Sequence, residues 1–181
     1  MKQALILVDI QNDYFAGGKM PLVGMDKASQ NAGLLLHKFR REQLPLVHIQ
    51  HISNRPGATF FLADSEGAGI HESVAPQPAE TVVQKHFPNS FRETNLLQIL
   101  KNAEVGEVVI CGAMSHMCID ATTRAAFDYG LSCIVVADAC ATRNLEYEGV
   151  LVEAEKVHAA FMAALAVPYA KVVTASDFIR E

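Results

Sequence analysis

The chain carries no block of like charges, no apolar run long enough to cross a membrane, no CxxC pair and no G-x-G-x-x-G, and each absence removes a class of function. Lys and Arg number 15 against 20 Asp and Glu, with no basic cluster, so nothing offers nucleic acid or an anionic membrane a footing. The amino-terminal apolar run covers residues 4–8 behind a single lysine, too short for a secretion signal or a spanning helix. The expected location is the cytoplasm, where the four cysteines (Cys111, Cys118, Cys133, Cys140) remain thiols. Without CxxC, zinc-ribbon and thioredoxin-type chemistry lose their main support. Without a glycine fingerprint behind any predicted strand, a dinucleotide-dependent oxidoreductase is disfavoured. No repeat, low-complexity tract or Pro/Gly/Ser linker divides the 181 residues, so one domain over 1–181 with a full core is expected.

What the chain has is alternation. Short apolar runs rich in β-branched residues recur at 5–8, 46–49, 81–83, 108–111, 133–137 and 171–173. Continuous runs of this kind suit strands buried on both faces, as in a parallel sheet. Between most of them lie stretches with helical spacing, at 28–43, 94–102, 116–129 and 146–165. The pattern predicts an α/β fold, a doubly wound three-layer sandwich with a mainly parallel sheet between helices. Residues 51–78 break the alternation. They hold several prolines and glycines around Phe60 and Phe61, and read as an ordered loop covering a pocket.

Ligands of open α/β sheets bind beyond the carboxyl ends of the strands. The stretch "ALILVDIQNDYF" ends its apolar run on Asp9, the third run leads to Lys85, and the fourth leads through "GAMSHMC" to Cys118. Gly112 permits a tight exit from the fourth strand, and Ser115 is a candidate N-cap that would put Cys118 in the first helical turn. Unpaired backbone N–H groups there favour a thiolate and are able to hold an oxyanion. A small buried apolar residue is the competing reading of Cys118, and the stronger one for Cys111 and Cys133 inside their runs. Asp9 and Lys85 each have a mundane reading as strand-end surface charges. Together the three make a nucleophile, its base and a cation to orient the base. Gln11 and Asn12 are expected to fix the turn after Asp9 through side-chain hydrogen bonds.

The segments "LILVDIQNDYF", "VVQKHFPNSF" and "VVICGAMSHMCIDATTRAAFDYG", in that order, resemble the isochorismatase-like cysteine hydrolases over nearly the whole chain. The resemblance implies a six-stranded sheet and a catalytic triad of Asp9, Lys85 and Cys118. It also implies a cis peptide between Ala113 and Met114, with the N–H groups of Met114 and Cys118 forming the oxyanion hole. Relatives that are nicotinamidases hold a metal through an Asp-x-His pair and a second histidine. The matching "VHIQHISNRPG" has no Asp-x-His, and His48 and His51 alternate faces of an extended segment, so no metal and no other cofactor is expected. His71 matches the distant histidine alone. Phe15, Phe61, Phe91 and Ser115 are the candidate pocket residues, with Phe60 beside them. His86 is expected to face away from Lys85.

The activity implied is hydrolysis of an amide or ureido C–N bond in a small molecule through a thioester. Two rivals remain: vinyl ether hydrolysis of the isochorismatase kind, which needs no thiol, and a scaffold that binds a metabolite or partner without turnover. The partners expected are a small-molecule substrate and, from the habit of relatives, further copies of the same chain.

Overall fold

The computed structural model describes residues 1–180. All six apolar runs are strands: β1 (Lys2–Val8), β2 (Leu46–His51), β3 (Thr81–Lys85), β4 (Val105–Ala113), β5 (Ser132–Ala141) and, after a short hairpin of β6 (Leu145–Tyr147) and β7 (Val150–Val152), β8 (Lys171–Val173). The main sheet has the order β3-β2-β1-β4-β5-β8 and every neighbour is parallel. Helices α1 (Met25–Arg41), α2 (Leu96–Asn102), α3 (Asp120–Asp128), α4 (Ala154–Leu165) and α5 (Ala175–Arg180) cover its two faces. No helix among the described residues is long and apolar enough to cross a membrane.

The apolar run of β1 is continuous because both its faces are covered. Leu5 and Leu7 pack with Leu35, Leu36 and Phe39 of α1, while Ala4, Ile6 and Val8 pack with Leu96, Leu100 and Met162 on the opposite face. The chain winds outward from β1 in one direction through β2 and β3, then returns to β4 and winds the other way. The reversal leaves a crevice between the ends of β1 and β4, where such sheets bind ligands. Gly112 sits there against β1, paired with Val8. Its φ is +124°, and a Cβ added to it would overlap the Val8 carbonyl. Only glycine lets β4 pass this close to the residue that precedes Asp9.

The helix expected over 146–165 starts late, at Ala154. Residues before it form the β6–β7 hairpin, whose turn puts Glu148 (φ 49°) and Gly149 (φ 77°) both in the left-handed region. Two left-handed residues suit the twist of a tight hairpin, and Leu151, expected on the helix stripe, is 61% exposed on it. Helix α1 begins before the expected residue 28, at Met25, after Gly24 in the left-handed conformation.

Candidate active site

The three strand-end residues converge. Lys85 Nζ lies 2.8 Å from Asp9 Oδ2 and 3.2 Å from Cys118 Sγ, and all three side chains are buried. The same ammonium reaches the Phe87 carbonyl at 3.0 Å and the Pro88 carbonyl at 3.3 Å. Asp9 has a φ of 52°, an uncommon conformation for a residue other than glycine, held by its N–H to the Ile49 carbonyl at 3.1 Å. The turn after β1 thereby aims the carboxylate into the crevice. Asp9 Oδ1 is buried and accepts no hydrogen bond among the described residues. An unpartnered buried carboxylate oxygen beside a thiol is equipped to take its proton.

Cys118 lies in a wide turn of π geometry, Ser115–Ile119, that runs directly into α3. The Ala113-Met114 peptide before it is cis. The N–H groups of Met117 and Ile119 both donate to the Met114 carbonyl, at 3.0 and 3.2 Å. Ser115 does not cap this turn. Its hydroxyl is fully buried and donates to the Ala141 carbonyl at 3.2 Å, with His158 Nδ1 at 2.8 Å. The thiolate expected from a helix start is also overruled. Burial pushes the Cys118 thiol well up, the Asp9 charge pushes the same way, and Lys85 only partly offsets them. The resting site is therefore a neutral thiol beside a carboxylate–ammonium pair. Burial is the strongest single influence on Lys85 and would depress it, but the charges and hydrogen bonds of Asp9 and Cys118 together outweigh it and keep the amine charged.

A cavity of about 180 Å³ opens onto the sulfur, below the usual range for drug-sized ligands, so it takes a small molecule. Met114, Met117 and Cys118 form its floor, and Tyr14, Phe60 and Phe87 its apolar walls. His51, Ser53, Arg55 and His86 bring polar groups. All four expected pocket residues lie outside its lining. Phe15 stacks on His71 with ring centroids 3.5 Å apart, Phe91 packs against Tyr129 at 5.3 Å, and Ser115 sits behind the turn. Phe61 is a layer deeper, its ring against Tyr14 at 4.6 Å, so Phe60 and not Phe61 faces the cavity. His86, expected to turn away, lines it and bonds the Ile52 carbonyl through Nδ1 at 2.8 Å.

His51 was the residue hidden in the sequence. Its Nδ1 is 3.2 Å from Lys85 Nζ and 3.9 Å from Asp9 Oδ2. The signal was present: His51 ends the second strand, and it pairs in register with Lys85 on β3, so both side chains emerge on one face. Asp9, His51 and Cys118 each offer one ligand atom, all within 4.8 Å of one another. The Lys85 ammonium lies within 3.2 Å of all three, so a metal ion at that point would have to displace it. His48 is paired with Glu80 at 3.0 Å on another face, and His71 is spent on Phe15 and on Ser73. The donor set does not fit a resident metal.

The polar run after Asp9 has a wider reach than a local turn. Gln11 donates to the His51 and Ala68 carbonyls at 2.9 and 2.8 Å and accepts the His51 N–H at 2.7 Å. Asn12 donates to the Glu66 carbonyl at 2.8 Å, and Asp13 accepts the Phe61 N–H at 2.7 Å. These side chains tie the 51–69 segment over the crevice and so set Phe60. A Cβ on Gly67 would overlap the Asp13 carboxylate. Gly67→Ala is expected to lower kcat/KM about tenfold by pushing Asp13 off the loop, with the melting temperature also reduced. An unchanged kcat/KM would show that this loop does not shape the cavity.

Burial keeps four histidines below their ordinary range: His48, His116 and His158, and His51, which falls to about 4 with Asp9 opposing and Lys85 assisting. The unfolded chain takes up protons at these sites near pH 6.5, while the folded chain refuses them. The stability they contribute is complete above pH 6.5 and is lost as pH falls toward the folded values. A thermal melt series should be level from pH 8 to 7 and fall steadily below about 6.5. A level profile down to pH 5 would contradict neutral burial.

The match to known proteins agrees with this geometry. A family model described as "Isochorismatase domain" matches residues 3–177. An uncharacterized isochorismatase family protein of Bacillus subtilis (strain 168) is 52% identical over 99% of this chain and 100% of its own length. The crystal structure of a putative isochorismatase hydrolase from Oleispira antarctica superposes with a TM-score of 0.96 at 51% identity, covering 99% of this chain and 97% of that one. A streptothricin hydrolase of Streptomyces noursei is 33% identical over 79% of this chain and 51% of its own length. More distant matches include a nicotinamidase and a maleamate amidohydrolase.

Proposed function

The chain belongs to the isochorismatase family, a family of hydrolases that includes amidases, and from that footing we propose that it is a metal-independent cysteine hydrolase. It cleaves an amide or ureido C–N bond of a small molecule through a thioester on Cys118. The observation that carries the reading is the convergence of Asp9, Lys85 and Cys118 on one cavity of small-molecule size.

Because the thiol rests protonated, attack and proton transfer go together. Sulfur attacks the carbonyl carbon as Asp9 Oδ1 takes the thiol proton. Lys85 keeps Asp9 Oδ2 engaged and offsets the charge growing on sulfur. The backbone N–H groups of Met114 and Cys118, residues that both face the cavity, receive the oxyanion. The C–N bond then breaks, Asp9 returns the proton to the departing nitrogen, and ammonia or an amine leaves. Asp9 next takes a proton from water, whose oxygen attacks the thioester; the carboxylic acid product departs and the thiol is restored. The same reading places the enzyme in the cytoplasm and assembles it from two or more copies. The β6–β7 hairpin supports self-association, since it exposes Tyr147 (74%), Val150 and Leu151.

The test is a panel of small amides, ureides and carbamates assayed for ammonia or amine release, with mass spectrometry of the stopped reaction. The expected result is turnover of at least one class and an acyl adduct on the Cys118 peptide. Turnover with no adduct, together with cleavage of isochorismate by Cys118→Ala, would favour vinyl ether hydrolysis instead.

A further inference from the structure

Arg55 stands at the same cavity as the sulfur, and its guanidinium has no hydrogen-bond or ion-pair partner among the described residues. The residue is exposed, and a backbone turn sets where its side chain leaves the loop. The Ala58 N–H donates to the Arg55 carbonyl at 3.1 Å across Pro56 and Gly57, and Gly57 has a φ of +76°. Proline then left-handed glycine is the sequence of a tight type II turn, which holds the backbone just after Arg55. The charge of Arg55 is felt inside the site, where it helps keep His51 neutral.

The sign of this charge runs against the molecule. The chain carries a net −5, yet no carboxylate lines the cavity among the described residues. Of the two acids that act on the cavity-lining Tyr14, Asp9 is already balanced by Lys85 at 2.8 Å, and Asp13 is held by the Phe61 and Lys19 N–H groups at 2.7 and 3.1 Å. A free guanidinium facing a small cavity with apolar walls of Tyr14, Phe60 and Phe87 is built for a planar anion on a short apolar body. We propose that the substrate is a monocarboxylate amide, and that Arg55 holds its carboxylate in a two-point fork while the amide carbon is presented to Cys118. The proposal rests on the amidohydrolase reading for the amide, but not for the carboxylate.

The experiment pairs each carboxylate-bearing amide, over linkers of two to four carbons, with its neutral methyl ester. Wild-type protein should favour the carboxylate member at least tenfold in kcat/KM. Arg55→Gln should erase that preference, mainly through KM, while Arg55→Lys keeps part of it. Lys101→Gln, which removes one exposed charge from α2, serves as the control for net charge and should not move the ratio. Equal or better hydrolysis of the esters overturns the carboxylate assignment and leaves the amidohydrolase reading standing.

A second readout needs no turnover. Iodoacetate and iodoacetamide alkylate the Cys118 thiol at rates whose ratio reports the preference for a carboxylate over a neutral amide. Peptide mapping separates Cys118 from the other three cysteines. The ratio should fall about tenfold in Arg55→Gln. If no amide is hydrolysed at all, the amidohydrolase reading fails and this ratio alone judges Arg55. A ratio that Arg55→Gln does not change, or no labelling by iodoacetate, rejects the anchor.

Discussion

Replacing Cys118 with alanine is expected to remove amide hydrolysis by about 10⁴-fold or more while leaving the fold intact, because the nucleophile is lost and little else changes. In barrier terms that is roughly 5.4 kcal/mol. Cys118 is 3% exposed and belongs to the apolar cluster on its side of the sheet, so alanine leaves a small void and a modest loss of stability. Serine is the sharper variant. It keeps the volume and the hydrogen bond from Lys85, but an alcohol is much harder to deprotonate than a thiol, so it should fail nearly as completely. Ammonia release and the acyl adduct should vanish together in both variants. An Ala variant retaining a tenth of wild-type turnover would remove the thioester from consideration.

For Asp9→Asn the expected effects on the thiol and on the rate have opposite signs, which no generic disruption would produce. The amide keeps the carboxylate's shape but removes the negative charge that helps hold the Cys118 proton on. Lys85 remains 3.2 Å from sulfur, so the thiolate gains its only counter-ion and the thiol becomes more acidic. Alkylation of Cys118 should therefore set in at lower pH than in the wild type. Turnover should nevertheless fall by about 10³-fold in kcat, because nothing is left to carry the proton to the leaving nitrogen or to activate water. The buried ammonium, now without its partner 2.8 Å away, should also cost about 3 kcal/mol of stability. An alkylation profile that stays in place, or kcat retained within tenfold, would mean that Asp9 only positions Lys85.

The two rivals of the thioester reading separate on these same variants. Vinyl ether hydrolysis protonates carbon, so it tolerates Cys118→Ala and fails in Asp9→Asn. A binding scaffold shows no turnover in any variant, and its thiol titrates without reference to Asp9.

Much of the fold was legible because parallel strands covered on both faces must be apolar throughout. That made residues 5–8 or 108–111 stand out, and made the first polar residue after each run an indicator of the carboxyl end. The rule located Asp9, Lys85 and the Cys118 turn. Applied to the second strand it would also have produced His51, which ends β2 opposite Lys85. The hairpin was hidden because Leu145, Leu151 and Val152 also fit a helical stripe, and a Glu–Gly turn is a weaker signal than Asn–Gly. Phe15, Phe91 and Ser115 were misplaced for a different reason. Sequence proximity to Asp9, Lys85 or Cys118 says nothing about direction, and each of the three points into a packed layer instead.

The sequence by itself determined which residues end the strands and what chemistry they bring, since that information is local: an apolar run, then a carboxylate, an amine or a thiol. The tertiary structure decided how those ends meet. The order β3-β2-β1-β4-β5-β8 sets the crevice between β1 and β4, and the side chains of Gln11, Asn12 and Asp13 draw a distant loop across it. It decided also that the sulfur rests as a thiol, because burial and the charges of Asp9 and Lys85 act through space between segments far apart in the chain.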